Sequence, residues 1–189
     1  KNASIYIQIS RGSAKRDFKF PAADTPQTLM MMSYDFDFDG NKAVQNGIKV
    51  KCVSDIRWAR RDVKTTLLFP QSMSKMIGVN DGYDDVFMVD PEGFITEASA
   101  SNAWIVTKDN KIVTRGVSTN ILRGITRTAI EKICAENNLV LEQRSFTPKE
   151  SYNAIEAFTS SATALVTPVI DIDGHKIGDG KRGAITKKL

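Results

Sequence analysis

Hydrophobic positions along the chain recur with two different periods. Ile5, Ile7 and Ile9 alternate with Tyr6, Gln8 and Ser10, and Ile48, Val50 and Cys52 repeat that phase, which predicts half-buried strands. The stretch between them reads as loop-rich. Residues 85–89, 93–96, 103–106 and 111–114 are short apolar runs separated by Asp90-Pro91-Glu92-Gly93 and Asp109-Asn110, residues that turns select. Such short connections predict an antiparallel meander. Helical spacing begins near Thr126, with Ala129, Ile130, Ile133 and Cys134 on one face, and fades at Asn137-Asn138. Pro70 suits a first helical turn, and a short helix over 72–77 would end at Gly78. A strand over 140–146 precedes Thr147-Pro148-Lys149-Glu150, a capping box with proline at the first helical position. Strands around 157–160 and 166–172 follow, and Asp173-Gly174 marks a hairpin turn. With no internal repeat and no linker, the pattern predicts an α+β fold rich in antiparallel sheet.

Composition narrows the class. Hydrophobic residues make up 41% and charged residues 25% of 189 positions, with six prolines and twelve glycines, which excludes disordered and collagen-like chains. The densest apolar runs, Leu29 to Met32 and Val86 to Val89, stop at four residues, far short of the ~18 to 20 that a membrane helix needs. The N-terminus has neither an initiator methionine nor the apolar stretch of a signal peptide, so it reads as a chain entered partway along. Cys52 and Cys134 are far apart and on the apolar phase of their segments, which predicts reduced buried thiols and a cytoplasmic location. The single histidine, His175, rules out zinc sites built from several His or Cys ligands, and a Ser-His-Asp triad would have to use this one turn residue. The net charge of +4 is spread over three groups, Arg11 to Lys19, Arg57 to Lys64 and Lys176 to Lys188, with few aromatics between them. That distribution argues against a nucleic-acid-binding stripe.

Four short constellations carry candidate chemistry, each with an ordinary alternative. In Arg57-Trp58-Ala59-Arg60-Arg61-Asp62-Val63-Lys64 the cations around one lysine would attract an anion and favour the free amine that a Schiff-base lysine needs; a solvated basic loop has the same composition. Asn120-Ile121-Leu122-Arg123-Gly124-Ile125-Thr126 places a glycine before a helix start, where free N–H groups and a hydroxyl suit a phosphate, or where Thr126 merely caps the helix. Phe158-Thr159-Ser160-Ser161-Ala162-Thr163 offers hydroxyls after a strand. Ile95-Thr96-Glu97-Ala98-Ser99-Ala100-Ser101-Asn102 sets a carboxylate before small residues that would admit a flat ligand, and would equally make a polar hairpin bend.

In order and approximate spacing, these blocks resemble R-W-x-R-x-D-[IV]-K, T-E-x-x-x-S-N, I-L-x-G-[IV]-T-R and a T-S pair before a T-P-V strand, as found in the fold-type IV pyridoxal phosphate enzymes. The opening Tyr6-Ile7-Gln8-Ile9-Ser10-Arg11-Gly12, with Arg16, Phe18, Phe20 and Pro21 beyond it, is similar to the Y-[IL]-Q-[IV]-T-R-G-x-x-x-R-x-H-x-F-P segment of the D-amino acid aminotransferase branch. The resemblance runs from about residue 6 to about residue 188.

The resemblance implies a pyridoxal 5′-phosphate-dependent aminotransferase acting on small D-amino acid and 2-oxo acid substrates, cytoplasmic and homodimeric, with no nucleic-acid or membrane partner and no metal. It implies that residues 1–40 complete a truncated N-terminal domain and carry a substrate trap, and that 41–189 are the large, barrel-like cofactor domain. Lys64 would be the Schiff-base lysine and the base that moves the proton between substrate Cα and cofactor C4′. Glu97 would face the pyridine nitrogen, Leu122 would pack on the ring, and Gly124, Ile125 and Thr126 with Ser161 and Ala162 would form the phosphate cup. Arg57 would support the cofactor end. Arg16 would hold the substrate carboxylate. Two positions depart from the pattern: Ala162 stands where a hydroxyl is frequent, and Phe18 stands where histidine supplies a second carboxylate contact. Phe18 keeps an (R)-selective amine transaminase open beside branched-chain and aminodeoxychorismate-lyase-like relatives. From a different class, a non-catalytic anion-binding domain would use the same basic loops, but would have no use for Glu97.

Overall fold

A computed structural model describes residues 2–37 and 40–189; Lys1, Phe38 and Asp39, which belong to the expected 1–40 segment, lie outside the described residues. The chain divides into two compact units, Lys1–Gly40 and Asn41–Leu189.

The first unit is a hairpin of two antiparallel strands, β1 (Ala3–Ser10) and β2 (Thr28–Asp35). The sequence pattern does not mark β2, because Met30, Met31 and Met32 break the alternation that marks β1. Pairing of Ile5 with Ser33, Ile7 with Met31 and Ile9 with Leu29 gathers the three isoleucines with Met31 and Leu29 on one face, while Met30 and Met32 lie on the other with Tyr6 and Gln8. Within this unit that face is exposed, Ile7 and Met31 each at 56%, so the expected half-burial is absent. A two-stranded ribbon has no second layer of its own to bury a face against.

The second unit is built around a barrel. Asn41 caps α1 (Lys42–Asn46) through its side chain, and β3 (Ile48–Ser54), α2 (Phe69–Asn80) and β4 (Asp85–Val89) follow. Next come β5 (Ile95–Ala98), β6 (Asn102–Val106), β7 (Ile112–Thr114), α3 (Ile125–Glu136) and β8 (Leu141–Gln143). The chain ends with α4 (Pro148–Tyr152), β9 (Glu156–Ser161), β10 (Leu165–Ile172), β11 (His175–Lys176) and α5 (Ala184–Lys188). The order β10-β3-β4-β5-β6 closes on itself because β9 pairs with both β6 and β10, which makes a six-stranded ring. Strands β4 to β7 form the expected antiparallel meander. The pairs β3/β4, β10/β3 and β7/β8 are parallel, which the short turn signals did not predict. Parallel neighbours need a crossover, and α2 and α3 supply it for β3/β4 and β7/β8.

Local chemistry sets several boundaries. Pro70 sits in the first turn of α2, but the helix runs past Gly78 to Asn80, since Gly78 packs where a Cβ would come 2.7 Å from Val86. Thr147 Oγ1 accepts from Glu150 N as a capping box requires, whereas the Glu150 carboxylate turns outward to Arg144. Strand β8 covers only part of the expected 140–146. On β6 the alternation is strict: Ala103 and Ile105 join a core containing Val50, Phe87, Ile95, Ala157 and Val169, while Trp104 and Val106 join a second core with Ile130 and Cys134 of α3. The α3 face differs from the expected one. Arg127, Ile130 and Cys134 are buried and Ala129 is exposed. Among the described residues, no helix is long and apolar enough to cross a membrane.

Candidate active site

The loop after β3 opens with a buried charge. Asp55 has a side chain with no solvent exposure; Arg57 donates to it through Nε (3.0 Å) and Nη2 (2.8 Å), Thr96 Oγ1 donates at 2.6 Å, and Arg61 Nε lies 3.2 Å away. Burial works against the Asp55 charge, yet the hydrogen bonds from Arg57 and Thr96 outweigh it and hold the carboxyl below its ordinary range. Arg57 Nη1 then crosses to β5 and donates to Glu97 Oε2 at 2.6 Å. The loop is pinned a second time by Arg61, whose N donates to Thr119 O (2.9 Å) and whose Nη1 donates to Asn120 Oδ1 (3.2 Å). Arg57 and Arg61 therefore pair inward, and Arg60 pairs with Asp62, so the loop is not the open cationic field its composition suggested.

Glu97 is 4% exposed. Its Oε1 accepts from Asn102 Nδ2 (2.8 Å) and from Leu122 N (2.9 Å), and its Oε2 from Arg57. Burial pushes the carboxyl above its ordinary range, against the pull of the Arg57 guanidinium and the Leu122 N–H. A carboxylate has about four lone-pair sites, so these three donors leave room for one more on Oε2.

Helix α3 starts one residue before the expected Thr126. Its N-cap is Gly124, which has no side chain to offer, so no side chain caps the first-turn N–H groups. The capping reading for Thr126 therefore fails, since it lies inside the helix. Gly124 is required on spatial grounds: a Cβ there would come 2.7 Å from Asn102 Oδ1. An uncapped helix N-terminus presents N–H donors and the positive end of the dipole to an anion. Across the gap stands the end of β9, where Ser161 Oγ accepts from Ala164 N at 3.1 Å and keeps its own proton free to donate.

These elements enclose a cavity of about 500 Å³. Lys64, Glu97, Leu122, Gly124, Ile125, Thr126, Ser161, Ala162 and Arg57, all nine residues assigned to cofactor binding from the sequence, line it. Lys64 is exposed. The small residues 98–101 form one wall, and Ser99 Oγ is buried there without a hydrogen-bond partner among the described residues. The volume, the uncapped helix end, the unfilled position on Glu97 and the unpaired Ser99 hydroxyl fit a flat, phosphorylated heteroaromatic group. Arg16 and Phe18 lie in the first unit, both exposed, with the guanidinium carbon 5.9 Å from the ring centroid.

Sequence reasoning missed Asp55, Asn102 and Arg61 as members of this arrangement. Asn102 and Arg61 stood inside quoted motifs without a role, and Asp55 stood two residues before Arg57. Each also has a partner no local pattern reveals: Arg61 meets Asn120, Asp55 meets Thr96 and Asn102 meets Leu122, at separations of 59, 41 and 20 positions.

The family profile for amino-transferase class IV matches residues 1–172. D-alanine aminotransferase of Staphylococcus haemolyticus is 37% identical over 191 residues, covering 100% of this chain and 66% of the relative. The D-alanine aminotransferase of Bacillus licheniformis is 36% identical over 190 residues, covering 100% and 65%. The chain thus spans just under two thirds of the length of these relatives. The crystal structure of Escherichia coli branched-chain amino acid aminotransferase superposes with a TM-score of 0.88 at 26% identity, over 98% of this chain and 62% of that one. The T.th. branched-chain amino acid aminotransferase with pyridoxamine 5′-phosphate gives the same TM-score, identity and coverage. A six-stranded barrel with these loops, and a profile match over nine tenths of the residues, place the chain in the class IV aminotransferase family.

Proposed function

We propose that this chain forms the cofactor-binding part of a pyridoxal 5′-phosphate-dependent aminotransferase that exchanges an amino group between a D-amino acid and a 2-oxo acid, working as a homodimer. The observation that carries the reading is a cavity lined by a lysine, a buried carboxylate, a run of small residues and an uncapped helix end. The cofactor, when bound, supplies an electron sink for negative charge developing at the substrate Cα. Lys64 is the residue that carries it and that accepts and returns the Cα proton. Glu97 would hold the ring-nitrogen end of the cofactor, and Arg57 and Asn102 keep its carboxylate in place. Leu122, in the cavity wall, would pack against the ring. Gly124, Ile125 and Thr126 with Ser161 and Ala162 would hold the phosphate, and Arg16 with Phe18 would meet the substrate carboxylate of the other subunit of the dimer.

The test uses the full-length protein loaded with pyridoxal 5′-phosphate. Borohydride reduction followed by peptide mapping should place the label on Lys64, and Lys64→Ala should lose both label and transamination. A label elsewhere overturns the assignment. Substrate class is read by comparing D-alanine with L-leucine as donor; preference for L-leucine would favour the reading supported by the branched-chain structural neighbours. Activity with (R)-1-phenylethylamine that falls in Phe18→His, with a gain for D-alanine, would support the looser selectivity expected of Phe18.

A further inference from the structure

The donors facing the proposed phosphate come from two separate elements, the first turn of α3 and the end of β9. Stabilising an anion requires such donors to be held in place before it arrives. Arg127, in the first turn of α3 and fully buried, is not among the residues that line the cavity. Its Nη1 donates to Arg115 O (2.8 Å), its Nη2 to Gln143 Oε1 (3.1 Å) and its Nε to Glu131 Oε1 (2.9 Å). Its guanidinium carbon lies 5.5 Å from the Trp104 ring centroid. Trp104 in turn donates from Nε1 to Ser160 Oγ at 2.8 Å, and stacks on Phe158 with centroids 5.5 Å apart. Ser160 immediately precedes Ser161. Two side chains therefore join the helix turn to the strand end.

Stability alone does not call for an arginine in this seat. The neighbouring buried positions on α3 are Ile130 and Cys134, and replacing a buried ion pair with packed hydrophobic residues is often neutral or stabilising. With Glu131 offsetting its charge, Arg127 contributes direction rather than field. Its rigid fork fixes the helix turn against β7 and β8, while the indole N–H fixes β9.

We infer that Arg127 and Trp104 are positioning residues that hold the two lobes of the phosphate cup in register. The inference rests on the cofactor reading above. It is tested in the full-length protein by measuring dissociation constants for pyridoxal 5′-phosphate and for pyridoxal, together with thermal unfolding, in wild type, Arg127→Lys and Trp104→Phe. The aldehyde chemistry at Lys64 is common to both ligands and cancels in their ratio. Wild type should prefer the phosphorylated ligand. Each variant should lower that preference by about ten- to a hundredfold, the range seen when a residue that orients a ligand's direct contacts is removed, and should leave pyridoxal affinity unchanged. Trp104→Phe keeps the stacking ring and decides the matter if Arg127→Lys does not fold. If the variants lose stability while the ratio of the two affinities stays at the wild-type value, the residues are structural only and the inference falls. If wild type binds both ligands equally, the phosphate reading of the cup itself fails, and the inference with it.

Discussion

Asn102 Nδ2 lies 2.8 Å from Glu97 Oε1, across the turn between β5 and β6, and also donates to Leu122 O at 2.8 Å. One amide thus ties the buried carboxylate to the loop that leads into α3. Asn102→Leu should remove both bonds and lower unfolding stability by roughly 1 to 3 kcal/mol, the usual cost of leaving buried acceptors unpaired. Asn102→Asp should do more harm at pH 8 than at pH 5, because it sets a second carboxylate beside Glu97. Thermal denaturation at the two pH values checks both.

The Asp55 carboxyl is held below its unfolded value of 3.8. Its contribution to stability is therefore complete above the ordinary carboxylate range and is lost as the pH falls through the folded value. Asp55→Asn, which leaves Arg57 and Arg61 short of a partner, should cost about 3 to 5 kcal/mol at pH 7. The denaturation midpoints of variant and wild type should converge once the pH has fallen through the lowered folded value of Asp55. A gap that persists at low pH would show that the pair is not what stabilises this loop.

Gly124→Ala tests the close approach at the helix start. The backbone there, at φ −70°, tolerates alanine, so any effect comes from the Cβ that would sit 2.7 Å from Asn102 Oδ1. The clash should shift the first turn of α3 and weaken inorganic phosphate and cofactor binding by about tenfold, corresponding to about 1.4 kcal/mol. Isothermal titration reads the loss directly.

Cys52 and Cys134 are free, the first half-buried and the second buried. Burial, with Asp173 beside Cys52, pushes both thiols above the ordinary range, so thiolate is scarce at pH 7. Both should react slowly with a disulfide reagent in the native protein and at the free-cysteine rate in denaturant. Fast native labelling of Cys52 would contradict this packing.

Much of this was legible in the linear pattern because it depends on near neighbours. The β4 to β7 meander, the Thr147 cap and the Asp173-Gly174 turn each follow from residues within a few positions of one another. The candidate cavity residues were readable as separate blocks, since lysine, carboxylate and glycine each carry their chemistry in their own side chain or backbone. Tertiary structure decided where the charges go. Arg57 looked like a neighbour of Lys64 in a basic loop, and only the pairing of β3 with β4 and of β4 with β5 brings it to Glu97, 40 positions away. The same holds for Arg127, whose place on a helix face expected to be apolar depends on acceptors from β7, β8 and its own helix. Periodicity records which side of an element is buried; it carries no information on which distant partner makes burial of a charge tolerable, because that energy depends on distances set only when the barrel closes.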